Sequence, residues 1–103
     1  MNRERQVIAY KKYFLEFYLE QSDNVQAKIE WTLNLIRVTR QVPEKYFKHM
    51  EGTKGLYEIR VEVGSNIYRI FSFFAKETLL YLEMAFKKNH RKHRSKKLKK
   101  QLK

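Results

Sequence analysis

Two periodicities divide the chain. In the first half, apolar residues recur at Val25, Ile29, Leu33 and Ile36, the spacing that lines one face of a helix. Trp31, Leu35 and Val38 widen that stripe, and the helix is expected to end near Arg40, ahead of Pro43, the single proline. Ser22, Asp23 and Asn24 offer the side-chain oxygens that cap a helix start. Before them, residues 11–21 are rich in Phe, Tyr and Leu and predict a mostly buried helix, and residues 6–10 read as a short strand. In the second half the period drops to two. Tyr57, Ile59, Val61 and Val63 alternate with Leu56, Glu58, Arg60 and Glu62, the signature of a strand with two unlike faces. Gly64-Ser65 suits a two-residue hairpin turn with glycine first. Residues 66–74 form the next strand, 75–78 turn again, and 79–86 form a third. The pattern predicts an α+β fold: an N-terminal strand and two helices packed on one face of an antiparallel sheet, in a single domain over 1–103.

Charge changes this picture at one end. Twenty-three Lys and Arg stand against eleven Asp and Glu, a net charge of +12. Residues 1–86 hold thirteen basic and eleven acidic side chains, whereas residues 87–103 hold ten basic and no acidic ones. A block this dense repels itself and calls for a polyanion. Nucleic acid is the commonest such partner; an anionic membrane surface, an acidic protein and a merely solvated tail are the competing readings. The block is expected to start as loop and finish as a helix at 95–102. No apolar run is long enough for a transmembrane helix or for the apolar part of a signal peptide. With no cysteine, neither disulfides nor thiolate-bound zinc enters. The cytoplasm is the expected compartment, with no membrane partner. No phosphate-cradling glycine loop, nucleophile elbow or helix-turn-helix signature is present, and no cofactor or metal is expected.

Candidate chemistry follows from the hairpin. With the turn at Gly64-Ser65, Val63 faces Asn66, so Arg60 stands directly opposite Arg69 and Glu58 opposite Phe71. Like charges opposed across strands are destabilising. Either Glu58 and Glu62 neutralise the arginines as diagonal neighbours, or the two guanidinium forks hold a phosphate. On the second reading, removing one arginine relieves repulsion and leaves stability level or slightly higher. The third strand returns toward Arg69, which brings Lys87, Lys88 and His90 alongside. His90 is a candidate acid or base. It and His93 make a poor metal pair, because their neighbours are Arg and Lys. Tyr10, Phe14, Phe17, Tyr18, Phe73 and Phe74 are most simply core.

Three pieces in order, Gly55-Leu56-Tyr57-Glu58-Ile59-Arg60, Tyr68-Arg69-Ile70-Phe71 and Ala85-Phe86-Lys87-Lys88, resemble the RelE/HigB toxin superfamily, in particular its phage-type HigB-like branch. The resemblance extends loosely over the helical half. It implies a small toxin that cleaves messenger RNA, often on the ribosome, and a cognate antitoxin, often a helix-turn-helix protein. The family's sheet arginine falls on Arg69, a basic residue of the preceding strand on Arg60, and one after the last strand on Lys87 or Lys88. Glu58 stands where some relatives have Lys, the tyrosine that some carry in the C-terminal segment is missing, and so is the usual proline after the Lys-rich turn. The implied chemistry is attack of a ribose 2′-hydroxyl on the adjacent phosphate, without metal. On that reading Arg60 and Arg69 stabilise charge, Glu58 is the base and His90 the acid, and Lys88 belongs to the catalytic set. Lys54, Lys87, Arg91, Lys92 and Arg94 bind the RNA backbone. A gyrase-directed toxin of the ParE type and a non-catalytic RNA- or ribosome-binding module are the alternatives, since a fold does not fix a function.

Overall fold

The computed structural model describes residues 4–89. Strand β1 (Gln6–Ala9) leads into helices α1 (Tyr13–Leu19) and α2 (Asp23–Val38). Four strands follow: β2 (Phe47–His49), β3 (Leu56–Val63), β4 (Asn66–Lys76) and β5 (Leu79–Asn89). They form one five-stranded sheet in the order β1-β5-β4-β3-β2. The meander β2 to β5 is antiparallel, but β1 lies parallel to β5, so the sheet is mixed and not wholly antiparallel. After the meander closes, β5 has one free edge, and β1 fills it with Val7 and Ala9 turned toward the helices and packed on the core.

Helix α2 starts where its cap chemistry places it. The Ser22 hydroxyl accepts the Val25 N–H at 3.4 Å, and Asp23 sits in the first turn, where the helix dipole favours an acid. Its buried face is Val25, Ile29, Thr32 and Ile36. Trp31 and Val38, expected to widen the stripe, are exposed; the Trp31 ring meets Tyr46 and carries Lys28 on its face. In α1 only Phe14 is buried, while Tyr13, Leu15 and Leu19 are exposed. Seven residues give less than two full turns, too few to bury several faces against one sheet.

The core lies between the helices and one sheet face, where Ile29, Ile36, Ile59, Ile70 and Leu80 have no accessible surface. Arg5 closes one end of this layer. Its guanidinium donates to the carbonyls of Ile36 in the last turn of α2 and of Thr39 and Arg40 just past its end. It also lies over the rings of Phe47 and Phe74, 5.8 Å from each centroid. Burial lowers its pKa, with a smaller opposing influence from Tyr57. No helix among the described residues is long and apolar enough to cross a membrane.

Candidate functional site

Among the described residues the other sheet face carries no helix, and charged residues gather there. The β3–β4 turn forms at Gly64-Ser65, with Gly64 at φ 62° and Ser65 outside the left-handed region, as a glycine-first hairpin turn requires. That turn fixes the register. Val63 pairs with Asn66, Arg60 with Arg69 and Glu58 with Phe71, as the residue count predicts.

Strand β5 completes the face through an irregularity. Phe71 pairs with Met84 and Ser72 with Leu82, which leaves Glu83 as an extra residue. A bulge shifts a strand's alternation by one and re-aims the side chains beyond it. Leu80 and Leu82 point into the core, yet Met84, Phe86 and Lys88 share the open face with Arg69. Three cross-strand rows result: Glu62, Ile67 and Lys88; then Arg60, Arg69 and Phe86; then Lys48, Glu58, Phe71 and Met84. Arg69 occupies the centre.

Each arginine has taken a carboxylate. Arg69 Nε stands 2.9 Å from Glu58 Oε2, and Arg60 Nε stands 3.3 Å from Glu62 Oε2. The first pair is the more sheltered, with side chains 24% and 14% exposed; in the second, Glu62 is 62% exposed. Neither contact is aligned as a hydrogen bond, so Arg69 Nε, Glu58 Oε2 and Arg60 Nε are buried without one. These are Coulombic contacts with hydrogen-bonding capacity unused, and an aligned oxyanion would offer the guanidinium groups the directed bonds that the glutamates do not. With Lys48 of β2 directly opposite Glu58, these rows hold four cations and two carboxylates, a formal charge of +2.

The remaining predicted site residues fall in different places. Lys88 joins the open face opposite Ile67, while Lys87 pairs with the buried Tyr68 and belongs to the helix side. Both lie within β5, three residues longer than the strand expected from sequence. Lys54 precedes β3 at the end remote from the Gly64 turn and lines an open cleft with Gly55, Phe73 and Glu83. It is not brought to the arginines: four residues of strand, roughly 13 Å, separate Leu56 from Arg60. His90, Arg91, Lys92, Arg94 and the helix expected at 95–102 lie outside the described residues.

The aromatic assignments divide. Phe14, Phe17, Tyr18 and Phe74 pack in or on the core. Tyr10 and Phe73 do not; with Tyr81 they make a ring cluster on the open face, centroids 5.2–5.6 Å apart. Sequence reasoning also missed Phe71, Met84 and Phe86 as companions of Arg69. Phe71 was within reach of the hairpin count, but Met84 and Phe86 depend on the Glu83 bulge, which leaves no mark in an alternation pattern.

The comparisons with known proteins agree with this architecture. The family described as phage-derived Gp49-like proteins matches residues 16–103. No curated protein matches the sequence. Among solved structures, a chain of the archaeal RelE–RelB complex from Pyrococcus horikoshii OT3 superposes with a TM-score of 0.60 at 15% identity, over 87% of this chain and 99% of that one. The chain therefore belongs to the phage-derived Gp49-like family, and its helices and mixed sheet have the RelE fold.

Proposed function

We propose that this chain is the toxin of a toxin–antitoxin pair and acts as a metal-independent endoribonuclease on messenger RNA, on the ribosome. The observation that carries the reading is the Arg60–Arg69 pair, opposed at the middle of the open sheet face with Lys88 one row away. Two guanidinium groups opposed across strands repel each other, and their glutamates offset that repulsion in the free protein, whereas a pentavalent phosphate in transit carries charge on several oxygens at once and can engage both. The superfamily and the RelE-like fold favour the same reading.

In the proposed reaction the 2′-hydroxyl attacks the neighbouring phosphorus. The new O–P bond closes a 2′,3′-cyclic phosphate, and the bond to the 5′-oxygen breaks. The hydroxyl's proton passes to Glu58, and His90 returns one to the departing 5′-oxygen. Arg60 and Arg69 stabilise charge on the phosphate in the transition state, the term usually largest in such catalysis. Lys88 joins them on the open face, and Lys54, Lys87, Arg91, Lys92 and Arg94 hold the RNA backbone away from the arginine pair. The partner is a cognate antitoxin, as RelE is found with RelB in the archaeal complex, here of helix-turn-helix type.

Induction without the partner, followed by mapping of RNA ends, tests the proposal. Growth should stop as messenger fragments with 5′-hydroxyl ends accumulate, and Arg69→Ala should reduce cleavage by roughly 100-fold or more. Intact transcripts with an induced DNA-damage response would instead assign the chain to the gyrase-directed class. Intact transcripts and stalled translation without cleavage would make it a binding module.

A further inference from the structure

Phe86 is an aromatic ring 37% exposed in the body of a strand, directly opposite Arg69. The Phe71 ring supports it edge-on, centroids 5.4 Å apart at 64°, and Met84 beside it is 45% exposed. One exposed apolar side chain needs no explanation. Here the Glu83 bulge turns Phe86 and Met84 away from the core and onto the face that holds the arginines. The nearby Tyr10–Phe73–Tyr81 cluster differs, because its cross-strand row, Leu56, Phe73 and Tyr81, holds no cation.

We propose that Phe86, backed by Phe71, is a stacking platform for an unpaired nucleobase whose own or adjoining phosphate lies on Arg69. This rests on the ribonuclease reading and adds what the site recognises: single-stranded RNA, through a base face as well as the backbone. Adjacent strands lie about 4.8 Å apart, so a ring and a guanidinium on opposed residues can reach the base and the phosphate of neighbouring positions together. A protein segment could also cover an apolar strip, but charge favours RNA. The strip adjoins Arg60, Arg69 and Lys88, in a chain of net charge +12 whose last seventeen residues carry ten basic side chains. A paired base inside a duplex has no free face to offer, so the platform selects single strands, with little preference among bases.

The test is equilibrium binding of a short 2′-O-methyl oligoadenylate, which lacks the attacking hydroxyl, to the full chain, alongside the same strand with one abasic position. Phe86→Leu keeps an apolar side chain and should weaken binding about tenfold, within the range of one lost base–aromatic stack. Phe86→Trp should restore it, which separates stacking from folding; thermal unfolding of both variants is recorded in parallel. Scanning the abasic position should find one that costs the wild type a similar factor and costs Phe86→Leu nothing further, the mark of a shared interaction. Unchanged affinity in Phe86→Leu, while Arg69→Ala still abolishes cleavage, overturns the platform and leaves the arginine site standing. Full cleavage by Arg69→Ala overturns the reading beneath it. Unchanged RNA binding with lost antitoxin binding would make the strip a protein-docking surface and also overturn the proposal.

Discussion

Arg69 stands between two partners that want the same side chain. In the free protein its Nε meets Glu58; in the proposed reaction its fork meets a phosphate. The sequence places Arg69 opposite Arg60 because a two-residue turn and a period of two leave no other register. It cannot say which carboxylate each arginine takes, since that depends on rotamers of long side chains over a bare sheet. The outcome reverses one expectation. With each arginine paired, Arg69→Ala does more than relieve repulsion: it strips the cation from a carboxylate only 14% exposed. Stability should fall by about 1–2 kcal/mol, between the cost of breaking exposed and buried pairs. Glu58→Gln keeps an oxygen against Arg69 but cannot take a proton. It should unfold within a few degrees of wild type while cleavage drops by about 100-fold or more, the scale of a lost general base. Thermal unfolding and single-turnover cleavage on one preparation read both variants. Near-normal cleavage by Glu58→Gln would reduce Glu58 to a residue that merely holds Arg69.

At the scale of elements, legibility followed length and regularity. β3 spans the predicted residues, and α2 begins at its cap, because eight alternating or sixteen helical positions leave one consistent answer. β2 was missed. Three residues, Phe47–His49, show no period, and they become a strand only because β3 offers them an edge. The parallel direction of β1 is likewise a tertiary result, and so is the clamp that Arg5 makes one residue before it. In sequence Arg5 is one of several charges near the N-terminus; in the fold it ties the end of α2 to the rings of Phe47 and Phe74. Arg5→Ala leaves three carbonyls short of a charged donor and uncovers two rings, a loss of about 2 kcal/mol. For a domain of this size that corresponds to roughly 10 °C in melting temperature. Arg5 stays protonated across the physiological range despite its lowered pKa, so the loss should be equal at pH 6 and pH 8. A melting temperature within 2 or so degrees of wild type, roughly a few tenths of a kcal/mol, would show that solvent caps α2 as well as Arg5 does.

For the whole molecule, the division of labour is one of charge. Every buried hydrophobic residue among the described ones falls between Phe14 and Leu82, while the excess charge begins at Lys87 and Lys88, the last basic residues of β5. The fold and most of the excess charge thus occupy different parts of the chain and can be separated by a cut. The strand's extension to Asn89 sets the place: truncation there keeps the whole sheet and removes eight basic residues together with His90 and His93. Cooperative unfolding should persist, because the core it depends on is untouched. RNA binding should weaken, and its dependence on salt should flatten. The logarithmic slope should drop by about 0.7 for each phosphate that the shortened chain no longer neutralises, since neutralising a phosphate releases condensed counterions from a single strand. Cleavage should fall further than binding does, because His90 leaves with the tail and the departing oxygen loses its proton donor. Adding back imidazole as a free acid should then recover part of the rate without changing the salt slope. An unchanged slope after truncation would mean that the basic segment does not touch RNA, and that the cations of the open face, Lys48, Arg60, Arg69 and Lys88, supply the electrostatic attraction alone.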